Sequence, residues 1–358
     1  MEELSMKRKL LALSMALLML GGALAGCGQK SAETTTPVPE TSAPVETTAQ
    51  PTQETGDTVR FAVLNGPTGV GAAKLMADSD AGTTANSYNV EVFTANDQVA
   101  AGLTNGEIDI AAVASNVAAN LYNKTDGGIQ MLAVSGLGVL YILENGDTVH
   151  SMADLAGRTI YATGQGANPE YVLNYLLTEN GVDPADVDIQ WKTGDEITTL
   201  MVSGEADLCM LPVPAATAVQ LKNADVREAL DLSAEWDNLQ NGSHLTMTTI
   251  VARTDFIEEN PQAVENFLSD YAASVEFMND PDNLALSSDE NPAQLVASYG
   301  ITANAQIAEA AIPKCALVCI TGASDMRSAI QGYYEVLYQA NPDSIGGGIP
   351  DDAFYYEG

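Results

Sequence analysis

Four short polar segments follow predicted β-strands, and their residue types suit the binding of a small polar molecule. They are residues 65–69 (NGPTG), 114–116 (ASN), 163–169 (TGQGANP) and 210–214 (MLPVP). Their glycines and prolines allow tight turns into helices, where backbone N–H groups and the positive end of the helix dipole are exposed. The candidate binding residues are Asn65, Gly66, Pro67, Thr68, Ser115, Asn116, Gly164, Gln165, Gly166, Asn168, Leu211 and Pro212.

Each of these segments alone is typical of an ordinary turn, since turns are rich in Gly, Asn and Pro. Taken together they favour a binding site, because all four fall at the carboxyl ends of predicted strands, where open α/β sheets bind ligands. Residues 164–169 lack the third glycine of the dinucleotide fingerprint GxGxxG, and no GK[ST] sequence occurs, so a nucleotide site is not predicted.

Residue patterns typical of catalysis do not accompany these segments. The chain has two histidines, of which His150 is predicted to lie in a helix cap and His244 in a turn. No GxSxG or CxxC motif occurs, and pairs of carboxylates such as Asp186 with Asp188 fall in segments predicted to face solvent. We therefore predict a binding protein without catalytic residues, metal or cofactor.

The elements that position the four segments alternate between strand and helix in two series. One series runs over residues 58–122 and the other over residues 158–221; a strand at 246–252 and several helices follow. This alternation predicts an α/β fold with parallel sheets in two lobes, with the ligand in the cleft between them. We expect residues 57–143 and 246–358 to form lobe 1, including the helix-rich C-terminal part, and residues 144–245 to form lobe 2.

The first 56 residues predict export and attachment to a membrane. Residues 7–9 (KRK) are basic and follow Met6, residues 10–25 form an apolar run of about 16 residues, and residues 24–27 (LAGC) resemble the bacterial lipobox. This predicts a lipoprotein signal peptide over residues 1–26, lipid on Cys27, and a disordered Thr/Pro-rich tether over residues 27–56. The acidic residues Glu2 and Glu3 fit a signal peptide poorly, which favours a translation start at Met6.

Charge and cysteine content argue against other classes. The chain carries 48 acidic and 14 basic residues, a formal net charge of −34, so nucleic-acid binding is not predicted. Cys209, Cys315 and Cys319 remain after Cys27, and three thiols cannot all pair. Cys315 and Cys319 would be too far apart for a disulfide on a strand but could approach on a helix. We expect buried free cysteines.

Four longer segments resemble a known family. They are residues 149–163 (VHSMADLAGRTIYAT), 177–187 (LTENGVDPADV), 200–211 (LMVSGEADLCML) and 253–261. Over residues 57–280 the chain thereby resembles the nitrate/sulfonate/taurine-type substrate-binding proteins of ABC importers. The resemblance implies a two-lobed periplasmic-binding-protein-like fold of type II, whose lobes are joined by crossings near residues 139–143 and 246–251. It also implies that Ser135, with Gly136, joins the four segments at the ligand.

The same resemblance implies a protein outside the cytoplasm that delivers a sulfonate-, nitrate- or pyrimidine-like solute to an ABC permease and its ATPase. Together with the lipobox it predicts a lipid-anchored protein, which we expect to be a monomer. No Lys or Arg lies in the four segments, so an anionic ligand would depend on backbone N–H groups and uncharged side chains; a neutral ligand fits equally well. Two alternatives are a sensing or adhesin lipoprotein of the same fold and an enzyme like those of thiamine-pyrimidine synthesis.

Overall fold

Two β-sheets organise the computed structural model, which describes residues 58–358. Its strands are β1 (Thr58–Leu64), β2 (Ser87–Phe93), β3 (Ile110–Ala114), β4 (Ile129–Leu137), β5 (Leu140–Asn145), β6 (Thr159–Ala162), β7 (Asp188–Trp191), β8 (Leu208–Pro212), β9 (Val226–Asp231), β10 (Thr246–Arg253) and β11 (Leu317–Ile320). One sheet has the order β11-β4-β10-β3-β1-β2, and the other has the order β7-β6-β8-β5-β9. We call the parts built on them the first and the second lobe.

Helices connect the strands in both lobes. They are α1 (Pro67–Val70), α2 (Ala73–Asp80), α3 (Asn96–Asn105), α4 (Ser115–Lys124), α5 (Asn168–Glu179), α6 (Gly194–Ser203), α7 (Ala215–Lys222), α8 (Leu232–Asn238), α9 (Thr254–Glu259), α10 (Pro261–Asn279), α11 (Pro281–Leu284), α12 (Pro292–Ser298), α13 (Ala305–Ala311) and α14 (Ala323–Ala340). The predicted two-lobed α/β fold is therefore confirmed.

The predicted signal peptide, Cys27 and the tether lie outside the described residues. None of the helices within residues 58–358 is long and apolar enough to cross a membrane.

The sheets are mixed, whereas the alternating pattern predicted parallel ones. Strands β1, β2 and β3 are parallel, as are β6, β7 and β8. In contrast, β10 is antiparallel to β3 and β4, and β5 is antiparallel to β8 and β9. Each of these two strands is the first to enter its sheet after the chain has crossed from the other lobe, so it arrives from the opposite side.

The crossing from the first to the second lobe lies between β4 and β5. The predicted lobe boundary at residue 143 falls inside β5, whose hydrogen-bonded neighbours β8 and β9 are both in the second sheet. The apolar residues of β5 gave no signal of which sheet they would join, because a central strand is buried on both faces in either lobe.

The C-terminal part contacts both lobes, although the sequence predicted contact with the first. Helix α14 donates a hydrogen bond from the Tyr334 hydroxyl to the carbonyl oxygen of Ser115 in the first lobe, at 2.9 Å. Beyond its end, Asn341 Nδ2 donates to the hydroxyl of Tyr171 in the second lobe, also at 2.9 Å. The strand β11 lies between helices predicted at residues 304–310 and 324–339 and was not predicted, since its four residues are too few to show alternation.

Candidate ligand-binding site

A cavity of about 360 Å³ lies between the lobes at the carboxyl ends of the strands. Its polar lining consists of Thr68, Asn96, Asn116, Thr163, Asn168 and Thr248. Its larger apolar lining residues are Pro67, Val117, Val139, Leu140, Pro169, Pro212 and Met247. None of the described lining residues is charged. The arrangement suits a compact solute that combines polar atoms with an apolar face.

Six of the residues predicted from sequence line this cavity. They are Pro67, Thr68, Asn116, Gly164, Asn168 and Pro212. They come from both lobes, and the turns that carry them face each other: a Cβ atom placed on Gly66 would lie 3.9 Å from Cδ of Pro214. Gly66 itself has a φ of 88°, which favours glycine at this turn.

Other predicted residues lie beside the cavity without lining it. Asn65 is exposed, and its backbone N–H donates to the carbonyl oxygen of Phe93 at 2.9 Å. Gln165 and Gly166 are also exposed, and the N–H of Gly166 donates to a carboxylate oxygen of Glu170 at 2.5 Å. Their side chains and N–H groups therefore point to protein partners or solvent in this arrangement of the lobes.

Three further predicted residues are buried in the lobes. The Ser115 hydroxyl donates to the carbonyl oxygen of Thr246 at 2.7 Å, and the Ser135 hydroxyl donates to Oγ1 of Thr248 at 3.1 Å. Leu211 has no exposed surface in β8. These residues support the walls of the cavity, and Ser135 orients Thr248, which does line it.

Several lining residues were missing from the sequence-based set of candidates. The sequence favours Asn96 as the N-cap of a helix that ends near Leu103. In the structure Ala95 occupies the N-cap position, and Asn96 is the first residue of α3. Val139 and Leu140 lie at one crossing between the lobes, and Met247 and Thr248 lie at the other. The predicted crossings were the signal that could have placed these four at the cleft.

Three helices of eight or more residues begin at the cavity, namely α3, α4 and α5. Their N-cap residues are Ala95, Ala114 and Ala167, and no side chain caps any of the three. Elsewhere in the described chain, Thr193 caps α6 and Asn304 caps α13 with a side-chain oxygen. The first N–H groups of a helix have no partner inside the helix. In α3 the N–H of Gln98 donates to a carboxylate oxygen of Asp97 at 3.0 Å, and the alanine caps leave the other first-turn donors available to a ligand.

Two asparagine side chains at the starts of these helices carry unpartnered atoms. Asn168 is 3% exposed, and neither Nδ2 nor Oδ1 has a hydrogen-bond partner. In the first lobe, Oδ1 of Asn96 is buried without a partner as well. Buried polar atoms in folded proteins are nearly always hydrogen-bonded, so these atoms are available to a polar ligand in the cavity. Buried atoms without partners also occur away from the cavity, as at Asn174 and Thr217.

The groups that could carry acid–base or thiol chemistry lie away from the cavity. The side chains of His150 and His244 are 64% and 59% exposed, and neither lines it. Cys209 and Cys315 are buried, and burial raises the pKa of each thiol to about 12. Cys319 is half-buried in β11, so the expectation of buried free thiols is confirmed for Cys209 and Cys315.

Comparisons with known proteins agree with the family resemblance seen in the sequence. Residues 135–284 match the family model described as NMT1/THI5 like. A search among curated proteins found no match. The matched range covers the second lobe, both crossings and the start of the C-terminal part, and it contains all four resembling segments.

Solved structures share the fold. An ABC transporter from Parabacteroides distasonis is 23% identical with a TM-score of 0.68, and the alignment covers 84% of this chain and 99% of that one. The periplasmic aliphatic sulphonate binding protein from Escherichia coli is 17% identical with a TM-score of 0.63, covering 84% and 96%. A putative sulfonate ABC transporter protein from Methylobacillus flagellatus is 16% identical, with a TM-score of 0.59 and coverage of 84% and 91%. The resemblance is therefore confirmed by the NMT1/THI5-like match over residues 135–284 and by a fold shared with binding components of ABC transporters.

Proposed function

We propose that this chain captures a small polar organic solute in the cleft and delivers it to an ABC permease and its ATPase. The observation that carries the proposal is the convergence of three uncapped helix N-termini and the unpartnered amide of Asn168 on one uncharged cavity between the lobes. A site of this kind offers directed hydrogen bonds without a group that could perform acid–base catalysis. The named functions of the structural neighbours, which include sulphonate binding and ABC transport, support this assignment.

The sequence of the first 56 residues supports the cellular setting of the proposal. The signal peptide ends before Cys27, which carries the lipid, and residues 27–56 tether the lobes to the outer face of the cell membrane. The protein acts there as a monomer. A formal net charge of −34 disfavours binding to the negatively charged backbone of nucleic acids. The partners are therefore the solute, the importer, and the membrane in which the lipid on Cys27 is inserted.

Thermal unfolding of the chain from Gly28 onward tests the binding role, since this form keeps every described residue. The panel contains alkanesulfonates, nitrate, pyrimidines, riboflavin-like compounds and amino acids. A ligand at 100 times its Kd adds about 2.7 kcal/mol of stability, which shifts the midpoint by several degrees. Mass spectrometry of the denatured protein identifies any solute that co-purifies with it.

The expected result is one class of solute that stabilises the protein, followed by loss of uptake of that solute in cells lacking this chain. Absence of both a stabilising compound and a co-purified solute would contradict the binding role. Binding without any effect on uptake would instead favour a sensing or adhesin function of the same fold.

A further inference from the structure

The amide of Asn168 is the most informative group in the cleft. It is 3% exposed, it lines the cavity, and both of its polar atoms lack partners. Exchanging the assigned positions of its oxygen and nitrogen changes nothing here, because the side chain still presents one acceptor and one donor group without partners. A ligand that completes this side chain must therefore donate one hydrogen bond and accept another.

The charge of the lining separates three classes of ligand. A cation would face the positive ends of α3, α4 and α5 with no carboxylate among the described lining residues. An oxyanion would be favoured by these helix ends, but it has no hydrogen to donate, so the Asn168 oxygen would stay unpaired beside a negative charge. An uncharged solute with both a donor and an acceptor satisfies the amide and the free N–H groups together.

The remaining lining defines the size and shape of that solute. Val139, Leu140 and Met247 contribute apolar surface from the two crossings, and Val117 adds more from α4. The volume of about 360 Å³ lies near the lower end of the range of roughly 300–1,000 Å³ for small-molecule pockets. A small ring with polar atoms on one edge and an apolar face matches these walls.

We infer that the ligand is an uncharged cyclic solute in which an N–H lies next to a carbonyl, as in a lactam, a cyclic urea or a cyclic imide. The N–H group and the carbonyl pair with the amide of Asn168. In a ring with a second carbonyl, such as a cyclic imide, that carbonyl accepts hydrogen bonds from the N-terminus of α3 or α4. This inference rests on the proposed function of the cleft, because it names the class of solute that the same site takes.

Calorimetric titration of the chain from Gly28 onward tests the inference with ligand-side controls. The neutral probes are uracil, hydantoin and 2-pyrrolidone, each paired with the analogue in which every ring N–H is methylated, and the anionic probes are methanesulfonate and nitrate. We expect at least one neutral probe to bind, N-methylation to weaken it tenfold or more, and both anions to bind more weakly. Tighter binding of an anion than of every neutral probe, or no effect of N-methylation, would overturn the inference.

A matched pair of variants adds a protein-side test. Asn168→Asp keeps the size of the side chain but replaces its donor with a carboxylate, so it should weaken the bound neutral probe at least tenfold. Asn174→Asp makes the same change on α5 at a residue that does not line the cavity, and it should leave Kd within twofold. Equal effects of the two variants would contradict the role of Asn168. Should Asn168→Asp fail to fold, the comparison of each neutral probe with its N-methylated analogue still tests the inference on the wild-type protein.

Salt dependence distinguishes failure of the inference from failure of the proposed function. A neutral ligand should keep its Kd within twofold between low and high ionic strength, whereas an anion entering a chain of net charge −34 should not. Binding of sulfonate or nitrate in the cleft would contradict the inferred ligand class but would still support the solute-binding role. Silence of every probe, with no co-purified solute, would count against both.

Discussion

Trp236 of the second lobe packs against Tyr333 of α14, with 5.7 Å between the ring centroids and no exposed surface on either side chain. Trp236 also contacts Tyr175 of α5, with 4.8 Å between their centroids. Because α14 also bonds to Ser115 in the first lobe, one helix near the C-terminus is packed against both lobes. Through Trp236, the packing of Tyr333 supports α5, whose N-terminus lies at the cavity.

Two tyrosines on α14 offer a matched test of this contact. Tyr333 is fully buried, whereas Tyr338, on the same helix, is 39% exposed. Replacing Tyr333 with Ala removes a buried aromatic ring and should cost about 3–5 kcal/mol of stability. Replacing Tyr338 with Ala should change stability by less than about 1 kcal/mol. Denaturant unfolding measures both, and similar losses would show that α14 does not hold the lobes through Tyr333.

A buried carboxylate stabilises the first lobe through two arginines. Asp109 is 2% exposed and accepts hydrogen bonds from Nε of Arg60 at 2.9 Å and from an Nη atom of Arg253 at 3.1 Å. Burial alone would raise the pKa of Asp109, but the hydrogen bonds from Arg60 and Arg253 outweigh it and hold this pKa below its ordinary value. Asp109→Asn should therefore cost about 1.5–3 kcal/mol at pH 7, because it weakens charge-assisted hydrogen bonds, while Arg253 keeps Asp255 as a partner and Arg60 is 41% exposed to solvent.

The depressed pKa of Asp109 sets the pH dependence of this loss. The contribution is fully present above the unfolded-state pKa of about 3.9 and disappears as the pH falls through the lower folded-state pKa. The difference in stability between wild type and Asp109→Asn should be constant from pH 7 to 5 and should shrink below about pH 4. The control is Asp255→Asn, since Asp255 pairs with the same Arg253 but is 64% exposed. A gap that widens in acid would refute this account.

The thiols should be unreactive in the folded protein. Burial raises the pKa of Cys209 and Cys315 to about 12 and that of Cys319 to about 11, so almost no thiolate exists at pH 8. Ellman's reagent should react slowly with the native chain from Gly28 onward and should count three thiols after denaturation without reductant. Fewer than three after denaturation would reveal a disulfide, and rapid reaction of the native chain would contradict the burial.

The sequence predicted those parts of the fold that depend on local patterns. Alternating residues predict a strand at 58–64, which are the bounds of β1 in the structure. The apolar run at residues 108–113 predicts a strand that agrees with β3 within two residues at each end. Strand β9 (VREALD) escaped prediction because its charged residues conceal a strand that is only partly buried. Its position in the second sheet is decided by pairing with β5, which is more than 80 residues earlier in the chain.

The candidate site was predictable to the extent that it lies in strand-to-helix turns. Asn116 and Asn168 belong to such turns and line the cavity, whereas Gln165 belongs to one of the same turns and faces solvent. Which residue of a turn faces the cleft depends on the approach of the other lobe. Thr248 was missed for a related reason: it lies inside β10, and only the crossing between the lobes brings it to the cavity.

An ion pair between the lobes should influence ligand affinity. Lys314, which follows α13 in the first lobe, places Nζ 2.5 Å from Oε2 of Glu228 in β9 of the second lobe. Both side chains are about one-third exposed, at 35% and 32%, so solvent screens the pair and limits its contribution to about 1 kcal/mol or less. Lys314→Met should therefore weaken the bound solute by about fivefold at most, since 1.4 kcal/mol corresponds to a factor of ten.

Reversing the charge of Lys314 gives a stronger test of the ion pair. Lys314→Glu brings two carboxylates together across the lobes, which opposes their approach and should weaken binding more than Lys314→Met does. Adding Glu228→Lys restores the opposite charges and should recover most of the affinity. Calorimetry gives Kd, and small-angle X-ray scattering with and without the solute follows the closing of the lobes. If the double variant binds no better than Lys314→Glu alone, the pair does not act between the lobes. If affinity and closing recover together in the double variant, the closed arrangement of the two lobes is the form that holds the solute.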